Sequence, residues 1–316
     1  MNRIPSVNLS DFISGDPSRK QDFVNAIGSA YEEIGFVSLK NHFLDDNLVE
    51  ALYKEVKNFF ELPLSVKEKY EIPGIGGQRG YVSFGKESAK GKKEGDLKEF
   101  WHFGQYVEND DKLKLEYHDN IIVDELPEFN TTGKQAYKML EKTAKYVLRA
   151  LALHLELEEF YFDEFIFNGN SILRPIHYPP IKEEPKEAVR AAAHGDINLI
   201  TLLMGAQGKG LQVQNHNGDW IDAIADPDEL MINVGDMLSR HTNNRLKSTV
   251  HRVVNPPKEL WGKSRYSIPF FMHPISTMKL DVLPNCIDAK NPKQFEDITA
   301  GEFLKERLIE LGLIKK

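Results

Sequence analysis

The sequence predicts an α+β protein, with helices in its first half and a β-rich second half. Three observations support this prediction. Apolar residues recur at helical spacing over 16–34, 45–63 and 131–157, and the third stretch predicts the longest helix of the chain. After residue 165, short alternating segments are separated by Gly, Asn, Asp and Pro, which is typical of a sandwich or barrel. We therefore expect a β-rich core with a helical N-terminal region and a long helix packed on it.

The first helix has a recognisable start and end. Asp16 is a good capping residue, and Pro17 suits the first helical turn because its missing N–H would have no helical partner there. Gly35 ends the periodic stretch, and the alternating residues 36–40 predict a strand. The buried face of this helix is expected to consist of Phe23, Ile27, Tyr31 and Ile34.

The remaining helices are also predicted from apolar spacing. Pro63 marks the end of the second helix, and a last helix is expected near 301–313. The polar connection 71–106 contains a basic, Gly-rich stretch at 86–95, which we interpret as a mobile surface loop. The apolar faces of the second and the long helix are Leu48, Leu52, Val56, Phe59 and Phe60, and Tyr137, Leu140, Ala144, Val147, Leu151 and Leu155.

The composition argues against several classes of protein. The chain has 316 residues, of which 41% are hydrophobic and 28% charged, as in a globular protein. Its net charge of -8 argues against a nucleic-acid binder, which needs a basic face to neutralise phosphates. No apolar run reaches the roughly 18 residues that span a bilayer, and no secretory leader pattern opens the sequence. We expect no nucleic-acid partner and no membrane association, and no protein partner is evident.

The single cysteine, Cys286, indicates a reducing compartment, so a cytoplasmic location is expected. Its apolar surroundings predict inert packing rather than a reactive thiol. The glycines around 205–210 match neither the dinucleotide-binding nor the P-loop pattern, because no G-x-G-x-x-G opens a helix. A nucleotide cofactor is therefore not expected.

One polar pair interrupts an apolar strand and suggests a metal site. His194 and Asp196 stand two residues apart, so in a strand both side chains point to the same face. A buried carboxylate costs several kcal/mol unless it is paired or binds a metal. His251, in a strand segment 57 residues after His194, is the candidate third ligand. Two imidazoles and one carboxylate on one face of an ion form the facial triad of non-haem Fe(II) oxygenases.

A second pair suits a carboxylate ligand. Arg265 and Ser267 share one face of the predicted strand 265–273. A guanidinium grips a carboxylate with two hydrogen bonds, and a neighbouring hydroxyl adds a donor. This pair fits the distal carboxylate of a dicarboxylic cosubstrate.

These motifs, in this order, resemble the isopenicillin N synthase-like branch of the Fe(II)/2-oxoglutarate-dependent dioxygenases. The resemblance extends over residues 4–276 and includes further segments that look like the microbial members. These segments are "RGYVSFGKES", "DLKEFWHFG", "LRPIHYPP", "HGDINLITLLMGAQGKGLQV", "INVGDML" and "NNRLKSTVHRVVNPP".

The resemblance implies a fold and a set of site residues. The core would be a double-stranded β-helix, or jelly roll, in 121–316 with its motifs in 167–276, after an N-terminal region over 1–120. The implied cofactors are Fe(II), 2-oxoglutarate as cosubstrate and O2. The implied metal ligands, also the catalytic residues, are His194, Asp196 and His251, and the implied 2-oxoglutarate contacts are Arg265, Ser267 and Tyr178.

Some residues near these motifs are candidates for the substrate cavity. The candidate substrate contacts are Arg174, Arg79, Tyr81 and Phe271, and His102 and His273 are expected to border the cavity, whereas His241 is not expected to bind metal. Two departures from relatives stand out: Ile176 replaces a frequent Asn, and an enlarged turn separates His251 from Arg265. Gly195, where relatives often carry a larger residue, is expected to leave the cavity more open.

The resemblance implies that decarboxylation of 2-oxoglutarate to succinate is coupled to hydroxylation, desaturation or cyclisation of a small-molecule substrate. Three alternatives remain at this point. The enzyme could be a 2-oxoglutarate-independent oxidase of the isopenicillin N synthase type, or it could release ethylene from 2-oxoglutarate. The third alternative is a catalytically silent binding protein.

Overall fold

The computed structural model describes residues 4–86, 96–107, 110–185, 189–204 and 210–310. Residues 87–95, most of the predicted surface loop, and 311–316 lie outside the described residues. The helices are α1 (Leu9–Phe12), α2 (Pro17–Glu33), α3 (Asp46–Phe60), α4 (Leu64–Lys67), α5 (Asp111–Glu116), α6 (Pro127–His154), α7 (Asp163–Ile166), α8 (Asp236–His241) and α9 (Ala300–Glu310). The strands are β1 (Ser6–Asn8), β2 (Phe36–Lys40), β3 (Gly80–Val82), β4 (Glu99–His102), β5 (Ile172–Leu173), β6 (Ile176–Tyr178), β7 (Ala191–His194), β8 (Ile200–Met204), β9 (Leu211–Gln214), β10 (Trp220–Asp222), β11 (Leu230–Val234), β12 (His251–Val253) and β13 (Arg265–Met272).

Within the described residues these strands form two sheets. The larger sheet has the order β1-β2-β11-β8-β13-β6-β4-β3, and β5 also pairs with β13. The smaller sheet has the order β10-β9-β12-β7. Apart from the parallel pair β1 and β2, the pairings are antiparallel. Many short antiparallel strands in the second half confirm the predicted sheet-rich core.

The helices begin and end for local reasons. The Asp16 side chain accepts hydrogen bonds from the backbone N–H groups of Ser18 and Arg19, which otherwise lack helical partners. The long helix α6 starts at Pro127, a turn earlier than predicted, because proline suits the first turn. It ends at His154, three residues before the predicted end, and Glu156 then adopts a positive φ of 55°.

The main hydrophobic core lies between the larger sheet and the helices. Helix α6 packs against α2 and α3 on one side and against β5, β8 and β13 on the other. Its buried positions include Tyr137, Leu140, Ala144, Val147 and Leu151, as the apolar spacing predicted. None of the described helices is long and apolar enough to cross a membrane.

A second apolar cluster joins the two sheets. Phe36 of β2 and Met231 of β11 pack with Val213 of β9 and Val253 of β12. The inner faces of the sheets therefore face each other, and beside this cluster the space between them is lined by polar side chains. The enlarged turn predicted before Arg265 is present: β12 ends at Val253, and the connection contains a short 3-10 helix at Lys258–Leu260.

Candidate metal and cosubstrate site

Three side chains from two segments, one at the end of β7 and one in β12, converge between the two sheets. His194 and His251 lie directly opposite each other on the antiparallel strands β7 and β12. The Nε2 atoms of His194 and His251 lie 4.0 and 3.8 Å from Asp196 Oδ1. The three donor atoms lie within 4.8 Å of one another, so together they could hold a metal ion.

The two oxygens of Asp196 have different surroundings. Oδ2 accepts hydrogen bonds from Thr201 Oγ1 at 2.6 Å and from Asn233 Nδ2 at 2.8 Å. Oδ1 is directed towards the two imidazoles instead. Burial would raise the pKa of Asp196, but the two histidines and these two hydrogen bonds lower it, so the carboxylate is ionised at neutral pH.

Backbone carbonyls fix the tautomer of both histidines. His194 Nδ1–H donates to the Ala192 carbonyl at 2.7 Å, and His251 Nδ1–H donates to the Thr249 carbonyl at 3.2 Å. Each Nε2 therefore carries a lone pair directed at Asp196. The His194 side chain is 43% exposed, yet loss of solvent around the ring nitrogens and the nearby His251 lower its pKa to about 4.

This donor set fits Fe(II). Two neutral imidazole nitrogens and one carboxylate oxygen make a 2-His-1-carboxylate site, which leaves positions open for a cosubstrate and O2. The outer hydrogen bonds from Thr201, Asn233 and the two backbone carbonyls orient the ligands, as is usual in metal sites. A closed structural zinc site would require a fourth ligand, and the group has three.

At the start of β13 lies a buried guanidinium, two of whose donors lack hydrogen-bond partners. Arg265 is 3% exposed, and its Nε and Nη1 atoms have no partner among the described residues. It pairs with Tyr178 across β13 and β6, and its guanidinium carbon lies 5.0 Å from the Tyr178 ring centroid. Ser267 lies on the same face of β13 and is also buried. Unpaired donors in a dry pocket fit a carboxylate ligand.

Sequence reasoning missed a second guanidinium at this place. Arg190 is 4% exposed, and its guanidinium carbon lies 5.6 Å from the same Tyr178 ring centroid. It precedes β7, in irregular backbone where strand alternation does not predict the side-chain direction. No motif marked it, and its isolated position before an apolar strand gave no other signal.

Two of the four candidate substrate contacts lie on the inner face of the larger sheet. The guanidinium of Arg174 lies 4.6 Å from the Phe100 ring centroid and 5.1 Å from that of Phe271. Arg174 Nε donates a hydrogen bond to His102 Nε2. Burial lowers the pKa of His273 to about 4, so this neighbour of Arg174 and Asp196 is neutral. Both histidines therefore lie beside Arg174, and that they border a substrate cavity remains a prediction.

The structure does not bring Tyr81 and Arg79 to the cavity. The Tyr81 hydroxyl donates to Glu99, whose carboxylate also binds His177, and His177 points to the face of β6 opposite to that of Tyr178. Arg79 donates instead to the Gln78 carbonyl at 2.7 Å and to Asn170 at 3.2 Å. The reason is the alternation of side chains along β3 and β4, which directs this group towards the helices.

The structure also bears on three smaller expectations, for Gly195, His241 and Cys286. A Cβ added at Gly195 would lie 3.3 Å from both Asp236 Oδ1 and Ser248 Oγ, so this residue does not set the openness of the cavity. His241 accordingly lies on α8 and bonds the Tyr161 hydroxyl at 2.9 Å, outside the metal-binding group. Cys286 is buried, and burial raises the pKa of its thiol, as inert packing predicts.

Two protein-family models match the chain. Residues 4–125 match the N-terminal region of the non-haem dioxygenases named for morphine synthesis, and residues 169–274 match the 2OG-Fe(II) oxygenase superfamily. Among curated proteins, a 2-oxoglutarate-Fe(II) type oxidoreductase, hxnY of Emericella nidulans, is 30% identical over 95% of this chain and 88% of its own length. Proline hydroxylase buaE of Petromyces alliaceus is 30% identical over 97% of this chain and 99% of its length.

Known structures agree. A 2OG-Fe(II) oxygenase family protein from Caulobacter crescentus, described as putative, is 42% identical, with a TM-score of 0.89 over 98% of this chain and 100% of its own. A full-length Neurospora crassa protein in complex with alpha-KG is 32% identical, with a TM-score of 0.85 over 96% of this chain and 95% of its own. Fe(II) and 2-oxoglutarate are accordingly the cofactor and cosubstrate. These matches agree with the convergent histidines and carboxylate. The chain belongs to the isopenicillin N synthase-like Fe(II)/2-oxoglutarate-dependent dioxygenases.

Proposed function

We propose that His194, Asp196 and His251 hold Fe(II) in this oxygenase. The observation that carries this assignment is the arrangement of Asp196, whose Oδ2 is occupied by two hydrogen bonds while Oδ1 faces two imidazole lone pairs. A cation bound between the ionised carboxylate and the two imidazole nitrogens would offset the cost of burying Asp196. The distances within this group are compatible with one shared ion.

The pocket beside this group suits the distal carboxylate of 2-oxoglutarate. Arg265 is buried beside Tyr178, and Ser267 follows on the same face of β13. A planar guanidinium grips a carboxylate with two hydrogen bonds, and the Ser267 hydroxyl adds a third donor. We assign Arg265, Ser267 and Tyr178 to cosubstrate binding because they lie together where β13 pairs with β6 and because buried donors of Arg265 lack protein partners.

The reaction follows from these positions. With Fe(II) bound, 2-oxoglutarate and O2 react to give succinate and CO2, and the second oxygen atom is inserted into a C–H bond of the substrate. The protein orients the cosubstrate through Arg265 and keeps the histidines in one tautomer through the carbonyls of Ala192 and Thr249. The apolar cluster between the sheets limits access of water, which protects the oxidising step from side reactions.

The finer description of the fold belongs to the same proposal. We assign the two facing antiparallel sheets to a double-stranded β-helix that occupies 121–316, with its motifs in 167–276 and α6 packed on it. Residues 1–120 then form the N-terminal region, which contributes edge strands and covering helices. A cytoplasmic location remains a prediction from cysteine usage.

For the substrate we propose a small planar heterocycle that carries a carbonyl acceptor. Arg174 lies between the Phe100 and Phe271 rings, and its planar fork of donors matches a ring carbonyl or amide. The neutral His273 beside it adds a polar group without a charge. The Neurospora crassa protein, 32% identical, was crystallised with thymine and with 5-formyluracil, which supports this choice of ring.

The test is a measurement of 2-oxoglutarate consumption and succinate formation with thymine, uracil and L-proline as separate substrates. We expect one oxygen atom to be added to the pyrimidine and one succinate to form per hydroxylation. If proline but neither pyrimidine stimulated 2-oxoglutarate consumption, the proposal of a planar heterocycle would be rejected. An amino-acid substrate would then be favoured, as in the related proline hydroxylase.

The same assay separates the alternatives. Product formation without 2-oxoglutarate would indicate an oxidase, and ethylene in the headspace would indicate fragmentation of the cosubstrate. A chain that binds neither metal nor 2-oxoglutarate in calorimetry would be a silent binding protein. Arg174→Met should raise the KM for substrate. The matched control is Arg252→Met, on the face of β12 opposite to that of His251, which should leave the KM unchanged.

A further inference from the structure

The cosubstrate pocket contains a second buried cation. Arg190 reaches from the segment before β7 towards the start of β13, where its Nη2 lies 3.5 Å from the Lys263 carbonyl. Its guanidinium and that of Arg265 both contact the Tyr178 ring, at 5.6 and 5.0 Å from the centroid. Three segments distant in sequence therefore bring two guanidinium groups to one tyrosine.

The charge of this group is not balanced by the described residues. In the part of the chain that the structure describes, neither Arg190 nor Arg265 forms an ion pair with a carboxylate, and Nε of each has no hydrogen-bond partner. Burial, and then the positive charge of Arg265, lower the pKa of Arg190 to about 10. Two cations that repel each other in a dry pocket are stable together when an anion lies between them.

The contacts that Arg190 makes within the protein do not account for its burial. Its hydrogen bond to Lys263 is at the 3.5 Å limit of such contacts. A cation–π contact at this distance contributes about 0.5 to 2 kcal/mol, less than the several kcal/mol that burial of an ion costs. The unpaired Nε, like the unpaired Nε and Nη1 of Arg265, is an available donor for a ligand.

We infer that Arg190 and Arg265 together hold the distal carboxylate of 2-oxoglutarate, Arg190 from the segment before β7 and Arg265 from the start of β13. The inference rests on the proposed cosubstrate site and adds a specificity residue to it. Two guanidinium groups make recognition of the distal end depend on a charged carboxylate, because a neutral group there would leave both cations unpaired. Arg190 thus selects dicarboxylic over monocarboxylic 2-oxo acids.

The test is calorimetry on the full chain loaded with Mn(II) under anaerobic conditions, so that ligand binding is measured without turnover. The two ligands are 2-oxoglutarate and 2-oxopentanoate, which has the same carbon chain with a methyl group in place of the distal carboxylate. The variants are Arg190→Met, Arg190→Lys and Arg265→Met. Arg252→Met, the same change on the outer face of the smaller sheet, is the matched control.

We expect Arg190→Met to raise the Kd for 2-oxoglutarate about ten-fold or more, the usual loss for a charged hydrogen bond. Its Kd for 2-oxopentanoate should stay within about two-fold of wild type, because that ligand has no distal carboxylate for Arg190 to bind. Arg190→Lys should retain part of the 2-oxoglutarate affinity. The wild type should discriminate between the ligands more strongly than Arg190→Met does.

Two outcomes would overturn the inference. If Arg265→Met weakened 2-oxoglutarate binding while Arg190→Met did not, Arg190 would be no part of the carboxylate site. If Arg190→Met weakened both ligands equally, its role would be structural, and thermal unfolding of the variant would show the loss. Failure of wild type to bind 2-oxoglutarate at all would instead reject the proposed cosubstrate site.

Discussion

The two faces of strand β6 carry polar clusters of opposite character. His177 and Tyr178 are neighbours in sequence and point to opposite faces of the larger sheet. On the outer face, His177 belongs to a closed cluster with Lys67, Tyr81 and Glu99. On the inner face, Tyr178 belongs to the site region, where the donors of Arg265 lack partners.

The charged groups of the outer cluster pair with one another. Glu99 Oε2 accepts hydrogen bonds from Lys67 Nζ at 2.8 Å and from the Tyr81 hydroxyl, and Oε1 accepts one from His177 Nδ1 at 2.7 Å. The Ser264 hydroxyl lies 3.0 Å from the other His177 nitrogen. A buried network of this kind stabilises the fold, because its polar groups hydrogen-bond to one another rather than to a ligand. On the inner face, donors of Arg265 have no partner among the described residues, and it is to this face that we assign the cosubstrate.

The largest expected effect is loss of activity on the inner face. Asp196→Ala should abolish metal binding and lower turnover more than about 100-fold, because even outer contacts of metal ligands contribute 10- to 100-fold. The thermal midpoint of the metal-free protein should also fall, because the buried Thr201 and Asn233 lose their shared acceptor. Metal titration and 2-oxoglutarate consumption measure both. Wild-type metal affinity in this variant, or in His194→Ala, would reject the ligand assignment.

The opposite result is expected on the outer face. Glu99→Gln should lower the free energy of unfolding by about 3 kcal/mol, because the buried ammonium of Lys67 loses its counter-ion. Its metal affinity should stay close to wild type. Urea unfolding measures the loss of stability, and metal titration measures the metal affinity. Tyr81→Phe is the milder control. A loss of metal affinity without a loss of stability would contradict the comparison.

This contribution should depend on pH. Burial would raise the pKa of Glu99, but hydrogen bonds from His177, Lys67 and Tyr81 lower it below its usual 4.5. A carboxyl group whose pKa is lower in the folded state stabilises the protein above its unfolded pKa and ceases to do so as pH falls through the folded value. The stability difference between wild type and Glu99→Gln should therefore be constant near neutral pH and shrink below about pH 4.5.

A smaller effect is expected from the hydroxyl that orients Asp196. Thr201→Val removes the 2.6 Å hydrogen bond to Oδ2 and should weaken metal binding about ten-fold, with little change in 2-oxoglutarate affinity of the metal-saturated enzyme. Metal titration measures this loss. Thr131→Val, at an exposed hydroxyl on α6, is the control that should change nothing. Unchanged metal affinity in Thr201→Val would mean that Asn233 alone orients the carboxylate.

The smallest effect is expected at Gly195. A methyl group there meets Asp236 and Ser248 at 3.3 Å, so Gly195→Ala should cost about 1 kcal/mol or less in stability and leave the substrate range unchanged. Chemical unfolding and a substrate panel provide the measurement. A shifted substrate range would restore the idea that this residue lines the cavity.

Local rules predicted the parts of the molecule that depend on local sequence. Asp16 and Pro17 start α2 as expected, and apolar spacing identified the buried face of α6, because capping and periodicity act within a few residues. The donor atoms of His194 and Asp196 lie 4.0 Å apart, but β7 ends at His194, so the segment after the strand, and not strand alternation, places Asp196. That they bind iron together with His251 remains a prediction, although the structure brings all three together.

By itself, then, the sequence determined the α+β class, the element types and the family motifs. Only the tertiary structure decided which face of each strand is the inner one. Alternation gives two faces but does not label them. Tyr81, a candidate substrate contact because of the family resemblance, belongs to the outer cluster. Arg190 was missed for a related reason: its partners Tyr178 and Lys263 come from other segments. Contacts between distant segments depend on how the two sheets pack, and no local pattern encodes that packing.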